Sequence, residues 1–483
     1  MTQKDPAKYA SIRVNADSIL HTMRGGIGAS WHAMSKEIPL ENENYDYPVR
    51  YQNPRGSAYG GNPPVSEKKM WDQICWHASW LGLNFIRVEL SQRMYEPERN
   101  VFDWNNEEMQ ALYKILDWCE SNNADVFLQQ MWGHVEWNAF SGVHPLLSAP
   151  RALDDFAAGI TGLLGRLLHK KKYTCIKYLS IANEPPGGTW GYWWSFGQGS
   201  GTITPALKKV REYLDAAGIK LPLSGPDWTN LPPLDPGKID FDESIGAYDI
   251  HSYSGIDANG EKILRKWICW AHSRNKPFYL TEFGNMNLGW GGANPGPKSF
   301  EAALSNASDM LCCLNEGADG MNRWSFINRG DIDGQWQLIQ TWDREKKKYL
   351  KKIQPENSAY FSFAIMSRYM GKYAAVIRSS VDPVSAEIRA AAVKNRTGDL
   401  SVFLLHKGEQ SMRVSVDMNG HNVESKLYLY QVSQKTVFDK AFRLEPIEIK
   451  PDEGSRRSIT LPEKSISVLT NYYLTSTDSG IIE

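Results

Sequence analysis

The chain has 483 residues, well above the roughly 250 of one (β/α)8 barrel, so two domains are expected. Its 54 basic and 55 acidic residues leave a net charge of −1, which argues against broad attraction to nucleic acid or an anionic membrane. No stretch approaches the ~20 apolar residues of a membrane span, and the first residues lack the apolar core of a signal peptide. These features predict a soluble, cytoplasmic protein.

The cysteines and histidines offer little for disulfides or metal binding. None of the six cysteines forms a CxxC pair, and most lie in apolar helical or strand segments, which is typical of buried free thiols. The ten histidines contain neither an HxxxH nor an HxH spacing. We therefore expect no metal site and no cofactor.

Eight short apolar runs alternate with segments of helical period, the pattern of βα units around a parallel sheet. The predicted strands span residues 26–31, 84–90, 125–131, 176–183, 222–225, 247–251, 278–282 and 320–325. Helices are expected around residues 70–81, 109–119, 150–169, 204–217, 262–273, 299–316 and 357–370, and Asn105 with Glu108 predicts a capping box for the second. The sequence thus predicts a (β/α)8 TIM barrel over residues 21–371.

After about residue 372 the pattern changes to period two. Met412, Val414, Val416 and Met418 alternate with polar residues, as in strands with one buried face. Turn residues separate these short strands, and no cluster of acids or histidines accompanies them. Residues 372–483 are therefore predicted to form an antiparallel β-sandwich with an accessory role.

Two glutamates close predicted strands four and seven. Glu184 lies in Asn183-Glu184-Pro185, and Glu282 ends the run before Phe283. Active sites of such barrels lie at the carboxyl ends of the strands. Glycoside hydrolysis needs two carboxyl groups, because the leaving oxygen is protonated while the anomeric carbon is captured from its other face. The pair therefore predicts a neutral carbohydrate substrate.

Further polar and aromatic residues lie at the ends of the predicted strands or soon after them. They are Arg87, His134, Asn183, His251, Tyr253 and Trp324. Aromatic rings in the following loops suit the apolar faces of a sugar, whose rim is polar. The candidates for stacking are Trp190, Trp193, Trp194 and Trp290, and Trp137 after strand three and Trp228 after strand five would form further walls of the site.

This order of residues resembles the clan A retaining glycoside hydrolases, and the active-site pattern is most similar to glycoside hydrolase family 5. The resemblance implies Glu184 as acid/base and Glu282 as nucleophile, with Arg87 and Tyr253 holding the nucleophile. His251 would orient Glu184. We expect the guanidinium to keep Glu282 ionised, and partial burial to raise the pKa of Glu184.

The remaining positions would bind the sugar at the cleaved bond. His134 and Asn183 would contact its hydroxyl groups, and Trp324 would form the platform beneath it. Residues 360–370, followed by a run of strands, resemble families 30 and 39, which carry a β-sandwich after the barrel. In those families the N-terminal segment joins the sandwich, so residues 8–20 are expected to pack there.

The sequence therefore predicts a retaining β-glycosidase that acts by double displacement and removes terminal sugars from β-linked glycosides or oligosaccharides. Exo action is inferred from the missing export signal. The alternatives are an endo-β-glycanase similar to β-glucanases, a transglycosylase, and a carbohydrate-binding protein without catalysis. The sequence leaves the sugar, the linkage and the oligomeric state open.

Overall fold

The computed structural model describes residues 9–33, 61–132, 135–141, 148–185, 203–229, 241–285, 288, 300–327, 337–343, 346, 348–420, 426–452 and 455–482. Eight parallel strands form a closed barrel within this part of the chain, because the eighth strand pairs with both the first and the seventh. The barrel strands are β2 (Ile27–His32), β3 (Phe85–Ser91), β4 (Asp125–Trp132), β5 (Ile176–Ser180), β6 (Leu223–Trp228), β7 (Ala247–Ser252), β8 (Phe278–Phe283) and β9 (Gly320–Ile327).

The predicted TIM barrel is confirmed, with small differences at the strand ends. Strand β5 ends at Ser180, so Asn183 and Glu184 lie just beyond it rather than inside it. Strand β6 runs to Trp228, further than the predicted end at Gly225. That extension places Asp227 on the barrel strand itself.

Helices alternate with the strands and cover the outside of the barrel. They are Lys68–Trp80, Gln92–Tyr95, Glu107–Ser121, Leu153–Leu164, Ile203–Ala216, Ala258–Ser273, Phe300–Glu316 and Asn357–Ser367, and a short helix, Gln434–Val437, lies in the second domain. The predicted capping box was wrong by one residue. Asn106, not Asn105, caps the third helix through Met109 N at 3.0 Å, because the backbone of Asn105 already binds Asp103.

A hairpin beyond the barrel was not predicted. Strands β10 (Ile339–Asp343) and β11 (Lys348–Pro355) pair with each other. Strand β10 also pairs in parallel with the end of β9, where Ile339 lies opposite Ile327. Its second strand is mostly exposed or half-buried. A strand of this kind lacks the buried apolar run by which the barrel strands were recognised.

The second sheet contains nine strands in the order β17-β16-β19-β14-β13-β12-β1-β15-β18. They are β1 (Tyr9–Thr22), β12 (Ala375–Asp382), β13 (Ile388–Lys394), β14 (Leu400–His406), β15 (Met412–Asn419), β16 (Leu427–Ser433), β17 (Ile447–Ile449), β18 (Arg456–Leu461) and β19 (Ser465–Thr470). Strand β1 pairs antiparallel with β12 and parallel with β15. The sheet is therefore mixed at β1 rather than wholly antiparallel, while the domain boundary at residues 371 and 372 stays a prediction.

Each face of the second sheet contributes to a different hydrophobic core. Phe403, Leu405 and Val468 belong to the large core that also includes the barrel and its helices. Val402, Leu404 and residues from β1 and β15 form a separate core on the other face. This alternation follows from the period of two along each strand. It gives the barrel and the sheet a shared apolar interface.

All six cysteines are free, as predicted, and four of them are buried. Cys75 is half-buried and Cys269 is exposed, so the expectation of buried thiols was wrong for Cys269. Within the described residues no helix combines the length and apolarity that crossing a membrane requires.

Candidate active site

The carboxyl ends of the barrel strands bring together a set of buried charged side chains. Arg87 and Glu89 lie on β3, Asp227 on β6, His251 on β7 and Glu282 on β8, and every one of them is at most 3% exposed. Side chains on neighbouring parallel strands meet at one end of a barrel because the strands share a direction. Such a concentration of buried charge is unusual outside functional sites.

Arg87 lies at the centre of this set. One guanidinium nitrogen, Nη1, donates to both Glu89 and Glu282. The other, Nη2, donates to Asn183 Oδ1 at 3.0 Å and lies 3.8 Å from Asp227 Oδ2. A planar guanidinium can serve several carboxylates at once because its donors have fixed directions. Arg87 therefore joins strands β3, β6 and β8 to the segment after β5.

Glu282 is held by donors on both of its carboxylate oxygens. Arg87 binds Oε1, and the Tyr253 hydroxyl donates to Oε2, which also lies 3.3 Å from His251 Nδ1. Burial raises the pKa of Glu282 to about 7, although Arg87 and His251 lower it and Glu184 raises it further. The guanidinium therefore favours the ionised form, as expected, but burial outweighs it.

Glu184 is positioned through its backbone as well as its side chain. Its N–H points at both the carbonyl oxygen and the Oδ2 of Asp227, at 3.1 and 3.2 Å. Its φ is +45° and that of Asp227 is +56°, a region that costs a non-glycine residue roughly 1 kcal/mol. The side chain meets His251 Nδ1 at 2.7 Å through Oε1. Two strained residues thus aim the carboxyl group into the site.

The two glutamates lie close together. One oxygen of Glu184, one oxygen of Glu282 and a ring nitrogen of His251 all lie within 4.8 Å of one another. A cation at this position would need a lone pair from the ring, and both nitrogens of His251 already face carboxylates. The arrangement suits proton transfer better than metal binding, and the expectation of no metal or cofactor stays a prediction.

Trp324 lies on β9 at the same end of the barrel and is 7% exposed. The ring of His32 packs edge-on against it, with 4.9 Å between the ring centroids. His32 Nδ1 pairs with Glu89, which in turn binds Arg87. The indole is therefore fixed by the same network of charges that holds Glu282.

The structure brings most of the sequence-predicted residues into one site. Arg87, Asn183, Glu184, His251, Tyr253, Glu282 and Trp324 belong to it. His134, Trp190, Trp193, Trp194 and Trp290 lie outside the described residues. Trp137 is half-buried in the turn Glu136–Asn138.

The expectation for Trp228 was wrong. It is 3% exposed and packs against Trp267 of a covering helix, with 6.0 Å between the ring centroids. Trp228 directly follows Asp227 on β6, and successive side chains of a strand point to opposite faces. Since Asp227 faces the site, Trp228 faces the helices and belongs to the core.

Sequence reasoning missed three members of the site, Asp227, Glu89 and His32. Asp227 lies two residues beyond the predicted end of strand five at Gly225. Glu89 stands two residues after Arg87, and this spacing places both on one face of β3. A strict period-two reading of β3 would have found Glu89.

Comparisons with known proteins identify the family of the chain. The family model described as Cellulase (glycosyl hydrolase family 5) matches residues 47–329, which is more than half of the chain. The chain belongs to glycoside hydrolase family 5. It is accordingly a clan A glycoside hydrolase, as its sequence predicted. A comparison with curated protein sequences gave no significant match.

Solved structures of low sequence identity share the fold over nearly the whole chain. A family 30 subfamily 8 xylanase from Clostridium acetobutylicum is 13% identical, with a TM-score of 0.61, covering 95% of this chain and 99% of its own. SrfJ from Salmonella typhimurium is 13% identical, with a TM-score of 0.64, and the match covers 98% of this chain and 94% of SrfJ. An endo-β1,6-glucanase is 15% identical, with a TM-score of 0.61, and the match covers 95% of this chain and 93% of the glucanase. The predicted layout of a barrel with a β-sandwich, as in family 30, is confirmed.

Proposed function

We propose that this glycoside hydrolase is a retaining β-glycosidase, with Glu282 as nucleophile and Glu184 as acid/base. The observation that carries the proposal is the approach of the two carboxyl groups, whose nearest oxygens lie within 4.8 Å. Retaining enzymes separate their carboxyl groups by about 5 to 5.5 Å, whereas inverting enzymes need roughly 6.5 to 9.5 Å to admit a water molecule. The observed spacing supports direct attack by a carboxylate.

The partners of each carboxylate support the assignment of roles. Glu282 receives Arg87 on one oxygen and the Tyr253 hydroxyl on the other, and both stabilise a negative charge that is regained when the covalent intermediate breaks down. The side chain of Glu184 instead meets His251. The more strongly held anion suits the nucleophile, and the other glutamate suits proton transfer.

The reaction would proceed in two displacements. In the first, Glu282 attacks the anomeric carbon, the glycosidic C–O bond breaks, and the proton of Glu184 moves to the departing oxygen. In the second, the Glu184 carboxylate takes a proton from water, whose oxygen attacks the anomeric carbon and breaks the glycosyl ester. Glu282 is released as a carboxylate and Glu184 is protonated again.

The sugar at the cleaved bond would lie against Asn183 and Trp324. Because Arg87 donates to Asn183 Oδ1 at 3.0 Å, the amide nitrogen is the group that would donate to a sugar hydroxyl. Trp324, fixed by His32, would supply the flat surface that a pyranose face prefers. The roles of His134 and Trp137 in binding the sugar and of Trp190, Trp193, Trp194 and Trp290 in stacking stay predictions.

Exo action on short β-linked substrates is the first candidate, as the sequence predicts. An endo-acting enzyme is the second, because two structures that share the fold are named a xylanase and an endo-β1,6-glucanase. A series of β-linked oligosaccharides labelled at the reducing end separates the two. Stepwise loss of single sugars supports exo action, while early cuts inside the chain support endo action.

We also propose that residues 21–371 carry the reaction and that residues 372–483 support them. Strand β1, which pairs within the second sheet, would belong to the supporting part. The charged cluster is drawn from barrel strands and from the segment after β5, which is why catalysis is assigned to the barrel. The proposed partner is a carbohydrate, without nucleic acid, membrane or cofactor.

Azide tests the two roles separately, using 2,4-dinitrophenyl β-glucosides and β-xylosides as probes. In Glu282→Ala, azide would replace the nucleophile and give an α-glycosyl azide after one inversion. In Glu184→Ala, azide would attack the glycosyl-enzyme and give a β-glycosyl azide after two. Each product is identified by NMR of the anomeric proton.

The assignment of roles fails if the two variants yield the azides of opposite configuration to those expected. Retention itself is wrong if the wild type releases the α sugar first. Sugar transfer to an added alcohol in preference to water would favour the transglycosylase. Saturable sugar binding without any turnover would favour a carbohydrate-binding protein.

A further inference from the structure

Asp227 binds several groups of the site, although it contacts neither proposed catalytic carboxyl group. It is fully buried on β6. Its Oδ1 receives His251 Nε2 at 3.1 Å, and its Oδ2 receives the Glu184 N–H at 3.2 Å and Gln129 Nε2 at 3.4 Å. Neither proposed catalytic glutamate bonds it through a side chain, so its role must be indirect.

The ring of His251 lies between carboxylates on both sides. Nδ1 faces Glu184 at 2.7 Å and Glu282 at 3.3 Å, while Nε2 faces Asp227 at 3.1 Å. Ionised carboxylates only accept hydrogen bonds, so a proton on each ring nitrogen is what satisfies Glu282 on one side and Asp227 on the other. A ring protonated at both positions is an imidazolium. Burial alone would lower the pKa of His251, but Glu282 and Asp227 raise it well above its ordinary value.

Other charges around the ring agree with this state. Arg87 is the other cation of the cluster, and it faces Asp227, Glu89 and Glu282. Burial and the neighbouring Asp227 raise the pKa of Asp249 well above its ordinary range, which favours the neutral form of that side chain.

Tyr253, which donates to Glu282, is uncharged because burial raises its pKa well above its ordinary value. Burial alone would raise the pKa of Asp227 too, but His251 and Arg87 lower it below its ordinary value. Asp227 is thus an anion paired with the ring.

We propose that Asp227 is a positioning residue that holds His251 as an imidazolium and so leaves the acid proton of Glu184 free for the leaving group. This inference rests on the proposed function. With the imidazolium, Nδ1–H donates to Oε1 of Glu184 and the transferable proton stays on Oε2. With a neutral ring protonated only at Nε2, Nδ1 would accept the proton of Glu184 and compete with the departing oxygen.

The role of Asp227 predicts a dependence on the leaving group. An alkyl alcohol must be protonated as it leaves, whereas 2,4-dinitrophenolate leaves without help. Loss of the imidazolium would therefore slow methyl β-glycosides and β-linked disaccharides far more than dinitrophenyl β-glycosides. A purely structural defect would slow both classes alike.

The test compares Asp227→Asn with Asp249→Asn. Both variants replace a fully buried aspartate by its amide on neighbouring strands. Burial and Asp227 favour the neutral form of Asp249, which accepts the Asp227 N–H at 3.3 Å, a bond that asparagine can keep. The control thus changes the same chemical group without changing a charge.

The first readout is the charge of His251 at pH 7, followed by NMR of ¹⁵N-histidine-labelled protein without substrate, with the signal assigned by its loss in His251→Gln. We expect an imidazolium in the wild type and in Asp249→Asn, and a neutral ring in Asp227→Asn. The second readout is kcat/KM, which should fall about 100-fold in Asp227→Asn for disaccharides and less than about fivefold for dinitrophenyl glycosides.

A neutral ring in the wild type overturns the proposal even if Asp227→Asn does not fold. So does an imidazolium that survives in Asp227→Asn, or an equal loss for both classes of substrate. These outcomes leave the azide results intact. Failure of the azide experiment, with the imidazolium still lost in Asp227→Asn, would instead count against the proposed function.

Discussion

The two ends of the barrel interior are built from the same strands but hold opposite kinds of side chain. At the end where the strands begin, Phe85, Phe127 and Tyr279 pack together with Ala247, and the rings of Phe85 and Tyr279 lie 5.0 Å apart. Two residues after Phe85 on β3, the inner face of the barrel carries Arg87, a buried cation. A period of two places both on the inner face.

This difference separates the source of stability from the site of chemistry. An aromatic layer gains free energy from the apolar surface that it buries. A layer of buried charges must be desolvated, and its mutual attraction often does no more than offset that cost. We infer that the apolar end and the surrounding helices hold the frame in which the charged end is kept in place.

The largest effect is expected for Arg87→Met. Removing the guanidinium leaves Glu89 and Glu282 buried without their shared cation, which should lower the free energy of unfolding by about 3 to 5 kcal/mol. The loss should grow from pH 5 to pH 8, because Glu282, whose pKa burial raises to about 7, then ionises. Urea denaturation at the two pH values measures it, and kcat/KM should fall about 1,000-fold.

Arg265→Met serves as the matched control for Arg87→Met. Arg265 pairs with Glu316 at 2.6 and 2.7 Å on the outside of the barrel, and its side chain is 58% exposed. Exposed pairs of this kind contribute at most about 1 kcal/mol. Similar losses in the two variants would refute a special role for the buried cation.

A second prediction concerns the apolar end. Phe127→Ala should lower the free energy of unfolding by about 3 to 5 kcal/mol, because it opens a cavity among Phe85, Tyr178 and Tyr279. The pH profile of kcat/KM, measured where the variant is folded, should match that of the wild type. A changed profile would show that the two ends are not separate.

Tyr253→Phe should have a smaller and more local effect. It removes one hydrogen bond to the Glu282 carboxylate, and a bond to a charged group contributes roughly 1.5 to 3 kcal/mol. We expect kcat/KM to fall about 10- to 100-fold. In Tyr173→Phe, which removes a 2.6 Å hydroxyl bond to Asp117 among the outer helices, activity should stay at the wild-type level while stability falls.

The smallest expected effect is a shift of the acidic limb of the pH profile of kcat/KM. The nucleophile must be ionised, and the pKa of Glu282 is raised to about 7 by burial. In the wild type, kcat/KM should therefore fall about tenfold per pH unit below that value. Tyr253→Phe should move this limb to higher pH, because the lost hydrogen bond favours the charged form. A limb near pH 4.5 would contradict the raised pKa.

The sequence could predict the barrel and much of the site for a physical reason. Strands such as Phe278–Phe283 are buried on both faces and appear as short apolar runs, so a charged residue at the end of such a run is conspicuous. Arg87, Glu184, His251 and Glu282 were found in that way. Their catalytic roles remain predictions for the experiments above.

The rest depends on relations that a single sequence does not display. Asp227 was missed because the positive φ and the true length of β6 appear only in three dimensions. The raised pKa of Glu282 could not be predicted either. It depends on how strongly burial and the nearby Arg87 oppose each other, and both depend on atomic positions. The hairpin β10–β11 lacked an apolar pattern altogether.

Strand β1 has a consequence for synthesis. It lies in the interior of the second sheet, between β12 and β15, although β12 begins only at Ala375. At roughly 5 to 20 residues per second, about 20 to 70 s of translation separate β1 from its first partner. During that interval Ile12 and Val14, which end up fully buried, have no sheet to join. A ribosome-bound chain that stops before β12 is therefore expected to need a chaperone at its N-terminal segment, β1.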